Sequence, residues 1–323
     1  MQSRQIGALE VSAIGLGCNN FGGRLDAART AEVVSAALDS GITLFDTADI
    51  YGGTKSEEFL GMALAGRRSK AVVATKFGMK VDDERTGAAP AYVQQACEDS
   101  LRRLGMQHID IYWLHRPDPA VPIADTLGAL GELVTAGKVR EIGCSNFSAA
   151  QLALAAREAG RLGVPGFAAV QNEYSMFHRE PEGEIPVDDG KAALEDSDKR
   201  GVLRQCAELG ISFVPYFPLA SGLLTGKYRA GQAAPAGSRL SSENAWQRFG
   251  GDERIAVVER LCGWCSKHGH SLLELAHSWL LRDGCVASVI SGATKPGQAV
   301  ANAAAGDWQL SAEELAEVEA ILG

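Results

Sequence analysis

Asp46, Lys76 and His115 each follow directly on, or close, a short apolar run, and further runs lead into Ser145 and Asn146, Gln171 and Asn172, and Tyr216. A carboxylate, an ammonium and an imidazole brought together can hold a proton, tune its affinity and hand it on. A single lysine or histidine at a strand edge is ordinarily a satisfied structural residue. Six consecutive run ends with side chains of this kind ask for a common cause. A parallel β/α barrel supplies one, because all its strand C-termini open on the face where barrel enzymes place their active sites.

The elements that must position these residues alternate along the whole chain. Apolar, β-branched runs lie at 13–16, 42–45, 71–75, 109–114, 139–144, 168–170, 211–214 and 286–290. Segments of helical period lie at 27–39, 55–65, 91–104, 122–136, 149–158, 201–209 and 271–281. The runs are almost wholly apolar, as parallel strands covered on both faces must be. The pattern predicts an α/β fold, a (β/α)8 TIM barrel, with a doubly wound sheet as the competitor. An N-terminal β-hairpin is expected to cap the barrel. No linker divides the chain, so 1–323 is read as one domain. Residues 180–200, which include Asp188, Asp189 and Gly190, read as an exposed acidic insertion. Residues 219–251, rich in Gly, Ala and Ser, form a long loop after the seventh strand, a length that usually signals function or mobility.

Two motifs imitate the doubly wound alternative. Gly15 and Gly17 begin a dinucleotide fingerprint, but Asn20 stands in place of the third glycine and helical character starts only near Asp26. Tyr51 and Lys55 have a Tyr-x-x-x-Lys spacing that needs a helix, which Gly52 and Gly53 disfavour.

Composition excludes several classes. A net charge of −9 argues against a nucleic-acid partner, whose phosphates need a basic face. No stretch approaches the roughly 20 apolar residues of a membrane span, and Glu10 interrupts the only candidate leader, so a cytoplasmic location is expected. Seven scattered cysteines suit reduced thiols. Cys262, Cys265, His268 and His270 imitate a zinc set, but 255–267 has the pattern of an amphipathic helix in which both cysteines are small apolar residues; no metal is expected.

The run Phe45-Asp46-Thr47-Ala48-Asp49-Ile50-Tyr51-Gly52, followed by Ser56-Glu57, resembles the signature of the aldo-keto reductase family. Ala74-Thr75-Lys76-Phe77-Gly78, Leu114-His115-Arg116-Pro117-Asp118, Gly143-Cys144-Ser145-Asn146-Phe147 and Val170-Gln171-Asn172-Glu173-Tyr174-Ser175 follow in the family's order. Pro218 to Lys227 and Ser291-Gly292-Ala293-Thr294 complete it, so the resemblance covers the whole chain. The long loop after the seventh strand places it nearer the bacterial and potassium-channel-β-like branches.

Reducing a carbonyl needs a hydride donor on one side and an acid that protonates the developing alkoxide. A tyrosine, with a free pKa of about 10, is a reluctant acid–base group, and a neighbouring ammonium lowers that value. Tyr51 is thus read as the acid, Lys76 as the charge that tunes it, Asp46 as the carboxylate that holds Lys76, and His115 as the group that orients the carbonyl. The resemblance implies NADPH as cofactor in preference to NADH. Ser145, Asn146 and Gln171 would hold the carboxamide over Tyr216, along a path lined by Gly17, Cys18, Asn19 and Asp46. Phe217 and Pro218 also belong to the cofactor wall, and the backbone of Leu219, Ala220, Ser221 and Gly222, with Thr225 and Lys227, would meet the diphosphate. Arg239 and Lys295 are candidates for the 2′-phosphate, with Gly292, Thr294, Gln298 and Asn302 towards the adenine. Ala299 and Ala301 stand where many relatives carry a glutamate, and Ser291 replaces a common proline.

The expected partner is a small-molecule carbonyl substrate held by Asn19, Phe21, Ile50, Tyr51 and His115, with Trp113 or its neighbours contributing. Phe21 and Ile50 make that wall mostly apolar, which favours a hydrophobic or flat aldehyde or ketone. Arg116 and Asp118 are read as shaping their loop. A homo-oligomer is left open. The competing reading is an NADPH-binding sensor or regulatory subunit, against which the intact Asp46, Tyr51, Lys76 and His115 argue.

Overall fold

The computed structural model describes residues 1–184 and 198–323; most of the acidic insertion expected at 180–200 lies outside the described residues. The chain opens with the antiparallel hairpin β1 (Ser3–Ile6) and β2 (Leu9–Ser12), in which Ile6 pairs with Leu9. The turn needs Gly7: its φ is +56°, and a Cβ there would lie 2.4 Å from the Glu141 carboxylate, which accepts from the Ala8 N–H at 2.8 Å.

Eight parallel strands follow: β3 (Ile14–Gly17), β4 (Leu44–Asp46), β5 (Val72–Phe77), β6 (Ile109–Leu114), β7 (Val139–Ser145), β8 (Ala169–Glu173), β9 (Ser212–Tyr216) and β10 (Val289–Gly292). Their order is β10-β3-β4-β5-β6-β7-β8-β9, and a parallel bridge between Phe213 and Val286 joins the two ends of the sheet. The fold is the expected TIM barrel. Gly17 is in register with Asp46, and Lys76 with Trp113, so the strand ends stand level on one rim.

Two apolar cores hold the barrel. The inner one joins Leu44, Ala74, Ile111, Trp113, Ala169, Val214 and Ile290 to Ile6, Leu9 and Val11, so the hairpin plugs the far end. Trp113 lies against Gly143, where a Cβ would sit 2.2 Å from the indole. The outer core packs the strands against α1 (Ala27–Asp39), α2 (Lys55–Ala63), α3 (Pro90–Leu104), α4 (Ile123–Thr135), α5 (Ala149–Leu162), α6 (Val202–Leu209), α7 (Glu243–Phe249), α8 (Asp252–Lys267), α9 (Leu272–Leu281), α10 (Pro296–Ala304) and α11 (Ala312–Leu322). Reciprocal caps start α5 (Ser148 with Gln151), α9 (Ser271 with Glu274) and α11 (Ser311 with Glu314).

The seven expected helices and the amphipathic one at 255–267 (α8) are all present, and α7, α10 and α11 add to them. The segment after β9 is also less irregular than its composition suggests. It carries 3-10 turns at Ala220–Thr225 and Arg239–Ser241 before α7. Gly52, Gly53 and Thr54 are all left-handed, with φ of +58°, +64° and +76°, so Tyr51 and Lys55 do not share a helix. Cys265 is buried in α8, while His268 and His270 stack on Trp264 and Trp308 with ring centres 4.0 and 3.8 Å apart.

Candidate active site

Asp46 is the last residue of β4 and Lys76 the penultimate residue of β5, and neighbouring parallel strands bring them into an ion pair. Both are buried. Lys76 also donates to the Thr47 carbonyl at 2.7 Å, and the other Asp46 oxygen accepts from the Gln171 amide at 3.0 Å. Removing either charge would strand the other out of water.

Tyr51 belongs to the loop after β4, and that loop is pinned at several points. The Asp49 N–H donates to the Lys76 carbonyl at 3.1 Å, and the Ser56 hydroxyl donates to the Cys18 carbonyl at 2.9 Å. A Cβ on Gly52 would lie 2.3 Å from the Phe21 carbonyl, so two backbones touch here and only glycine fits. The result sets the Tyr51 ring 4.9 Å from the Lys76 ammonium and 5.9 Å, edge-on, from the His115 ring.

Charge balance differs from the simple expectation for Tyr51. Burial pushes its pKa above the ordinary value, and the Lys76 charge and hydrogen bond pull it back only in part. The same contacts hold Lys76 above its ordinary value, because Asp46 and Tyr51 outweigh the burial that would discharge it. His115 goes the other way. Burial, then the Lys76 and Arg116 charges, push its pKa down to about 2. Its imidazole is therefore neutral at any working pH, and its buried Nδ1 has no hydrogen-bond partner among the described residues.

Asp46, Tyr51 and His115 share one cavity of about 550 Å³ on the C-terminal face of the barrel, with Lys76 buried behind them. Its wall continues over Gly17, Cys18 and Asn19, past Ser145, Asn146, Gln171 and Tyr216, to the loop after β9 and the start of α10. Five non-glycine residues have left-handed φ among the described residues: Thr54, Asn146, Phe217, Ala220 and Ser221. All five lie in loops at this rim, the distribution expected when backbone strain is kept for a binding surface.

A model of the aldo/keto reductase family matches residues 13–322. The chain is 34% identical over 317 residues to a probable aldo-keto reductase 1 of Glycine max, covering 96% of this chain and 85% of that protein. It is 33% identical to the aldo-keto reductase YhdN of Bacillus subtilis (strain 168), covering 97% and 91% of the two chains. It is also 33% identical to a probable voltage-gated potassium channel subunit beta of Oryza sativa subsp. japonica, covering 100% and 97%. The solved structure of a glycerol dehydrogenase from Gluconobacter oxydans matches with a TM-score of 0.81 at 30% identity, covering 99% of this chain and 94% of that one. The chain belongs to the aldo/keto reductase family. It is accordingly an oxidoreductase of carbonyl chemistry.

Within this aldo/keto reductase, most of the residues expected at the cofactor lie on the cavity wall. Several are already engaged with one another. The Asn146 amide donates to the His115 carbonyl at 2.9 Å and to Ser145 Oγ at 3.1 Å, and its oxygen accepts from the Tyr216 hydroxyl at 2.7 Å. Ser145 donates to the Gln171 carbonyl at 2.8 Å. Arg239 reaches across to the loop after β3, donating to the side-chain oxygens of Asn20 at 3.1 Å and Asn19 at 3.5 Å. Gln298 accepts from Thr294 and Lys295, so its carbonyl caps the first turn of α10. Ala220 is buried behind the wall, and Ala220 and Lys295 do not line the cavity.

The substrate end departs from expectation. Phe21 is 0% exposed, because the tight turns Cys18–Phe21 and Gly22–Leu25 tuck its ring into the outer core. Trp113 is equally buried inside the barrel, and Ile50 lies off the wall. Arg24, Met79 and Arg116 stand on the wall instead, with Asn20, Ser291 and Leu273 elsewhere around it. The Ser291 hydroxyl is 2.7 Å from His277 Nε2, so the departure from the family's proline carries its own buried partner.

Asp49, two residues before Tyr51, gives folding a pH dependence that can be measured. It is 2% exposed, and neither carboxylate oxygen has a hydrogen-bond partner among the described residues. Burial first, then the Glu57 charge, raise its pKa to about 7, although Arg103 and Lys76 pull it down. Glu57 itself is committed to Arg103 at 2.5 Å and Thr75 at 2.6 Å. A raised carboxyl pKa favours folding fully below the unfolded value and loses that contribution as pH rises through about 7. Asp49→Asn should therefore leave stability near that of the parent at pH 4 and gain on it up to pH 7, by about 3–4 kcal/mol or roughly 5 °C in Tm. Thermal melts across that range check this; a gain that does not grow with pH would contradict it.

Proposed function

We propose that this chain, acting as one barrel domain in the cytoplasm, reduces an aldehyde or ketone to an alcohol with NADPH, and that Tyr51 gives the proton. The observation that carries the assignment is the pair of aromatic groups facing the reaction space. His115 is held neutral, with a pKa of about 2, while Tyr51 touches a buried ammonium and keeps its proton at neutral pH. Of the two, only Tyr51 has a proton acidic enough to give and a charge beside it to stabilise what remains, since a neutral imidazole holds its single N–H far more tightly.

The residues present suit a nicotinamide dinucleotide. Tyr216 offers a flat face beside Asn146 and Gln171, and Ser221 and Gly222 offer backbone with little side chain in the way. Lys227 and Arg239 supply cations on the same wall, and burial followed by the Arg24 charge lowers the Arg239 pKa, so an anion placed there is favoured. When bound, the dinucleotide supplies a hydride. The chain does the rest: His115 donates a neutral hydrogen bond that orients the carbonyl, Tyr51 protonates the developing alkoxide, and Lys76, neutralised by Asp46, stabilises the phenolate left behind.

NADPH is favoured over NADH through Arg239, whose described partners are neutral amide oxygens. Arg239→Ala should raise the Kd for NADPH about tenfold, the worth of one hydrogen bond to a charged group, and that for NADH by much less. Fluorescence titration with both cofactors measures this. Equal losses would place Arg239 at the diphosphate that both share.

A further inference from the structure

The substrate half of the cavity can be separated from the cofactor half by strand order. In the eight-strand ring β6 stands opposite β10 and β5 opposite β9. The loops after β9 and β10 carry Lys227, Arg239 and the start of α10, whereas Met79 follows β5 and Arg116 follows β6 directly after His115. Arg24 follows β3, the neighbour of β10, and its charge acts on Arg239, so it belongs with the cofactor side. Arg116 is the cation left facing the substrate.

Its surroundings leave that charge uncompensated. The chain as a whole carries −9, yet among the described residues the cavity wall holds one carboxylate, Asp46, and Lys76 already neutralises it. Asp118, two residues away, is occupied by backbone: it accepts from the Ala88 N–H at 2.8 Å and the Ala120 N–H at 3.0 Å. Arg116 has no hydrogen bond or ion pair among the described residues, and its charge is near enough to help depress the His115 pKa. Met79 provides an apolar stretch of wall in the same half.

We propose that Arg116 selects carbonyl substrates bearing an anionic group, a carboxylate or a phosphate, on the side of the molecule away from the reacting carbon. This rests on the carbonyl-reductase reading above. With the carbonyl at Tyr51 and His115, the body of such a substrate lies along Met79 and its anion meets the guanidinium, which suits planar oxyanions. The hydrophobic wall inferred from Phe21 and Ile50 gives way to a short apolar stretch ending in a cation.

The test compares 4-carboxybenzaldehyde with methyl 4-formylbenzoate, which present the same aldehyde with and without the charge. Glyceraldehyde 3-phosphate against glyceraldehyde repeats the comparison for phosphate. In the parent protein kcat/KM should favour the charged member of at least one pair, and the favoured pair identifies the anion. In Arg116→Gln the charged-to-neutral ratio of kcat/KM should fall about fivefold, as loss of a solvent-exposed ion pair predicts, with the change in KM. Arg116→Lys should restore part of it, and added salt should shrink the parent's preference. Each ratio is internal to one variant, so a general loss of activity cancels. A ratio that Arg116→Gln leaves unchanged, or a parent that prefers the neutral member of both pairs, overturns the proposal. A parent that reduces none of the four overturns the carbonyl-reductase reading itself, and this inference with it.

Discussion

Tyr51→Phe is expected to lower kcat by about a hundred- to ten-thousandfold while leaving NADPH affinity almost unchanged. The substitution removes one oxygen and keeps the ring, so the edge-on contact with His115 and the left-handed turn through Gly52 and Gly53 stay in place. What disappears is the proton. His115 cannot replace it, because burial and two neighbouring cations hold its imidazole neutral down to a pH of about 2. A water molecule could deliver a proton, but without the ammonium placed to stabilise the conjugate base. Steady-state reduction of an aromatic aldehyde, with fluorescence titration of NADPH in parallel, measures both quantities. Substantial residual turnover would take the acid's role from Tyr51.

Lys76→Met should have an effect of similar size for a different reason, and should also cost stability. In the folded protein burial already raises the Tyr51 pKa, and Lys76 is what limits the rise. Without the ammonium the phenolate is left in an apolar pocket beside a carboxylate, so the proton becomes harder to give and the apparent pKa of the reaction moves up. At the same time Asp46 loses its counter-charge and, among the described residues, keeps only the Gln171 amide on its carboxylate, a loss worth about 3–5 kcal/mol for a buried pair. The double variant Asp46→Asn with Lys76→Met separates the two effects. Stability should recover because no lone charge remains buried, and the rate should not. A pH–rate profile unchanged in the lysine variant, or activity restored in the double variant, would count against the tuning role.

The chemistry was legible where it sits on strands. Asp46 and Lys76 lie at the ends of β4 and β5, and the C-terminal rim of a parallel barrel follows from the alternation of apolar runs and helical segments. Tyr51 was legible through a motif, but its aim comes from backbone contacts between two loops, and those depend on Gly52 at a distance no pattern encodes. The same contact explains the error at Phe21. A large apolar residue after the first barrel strand was expected in the substrate wall, whereas the turn that lets Gly52 approach rotates the ring into the outer core. Arg116 and Asp118 were both read as shaping their loop, and only the structure shows the Asp118 carboxylate spent on backbone N–H groups while Arg116 stands on the cavity wall. Helix α10 escaped the periodicity because its buried face is built from Ala299, Asn302 and Ala303, residues too small or too polar to mark an apolar stripe. Cofactor candidates such as Gln298 and Asn146 were identified by position, yet part of their hydrogen-bonding capacity is committed within the protein.

The similarity to a potassium channel subunit beta keeps a regulatory role as the rival reading, and the decisive measurement is hydride transfer itself. Purified protein is incubated with NADPH deuterated at C4 of the nicotinamide and with 4-carboxybenzaldehyde or an uncharged aromatic aldehyde. Carbonyl reduction at this site should give aldehyde-dependent loss of the cofactor's near-ultraviolet absorbance and one deuterium on the former carbonyl carbon of the alcohol, both abolished by Tyr51→Phe. Tight NADPH binding with no aldehyde-dependent turnover across carbonyl compounds would contradict it.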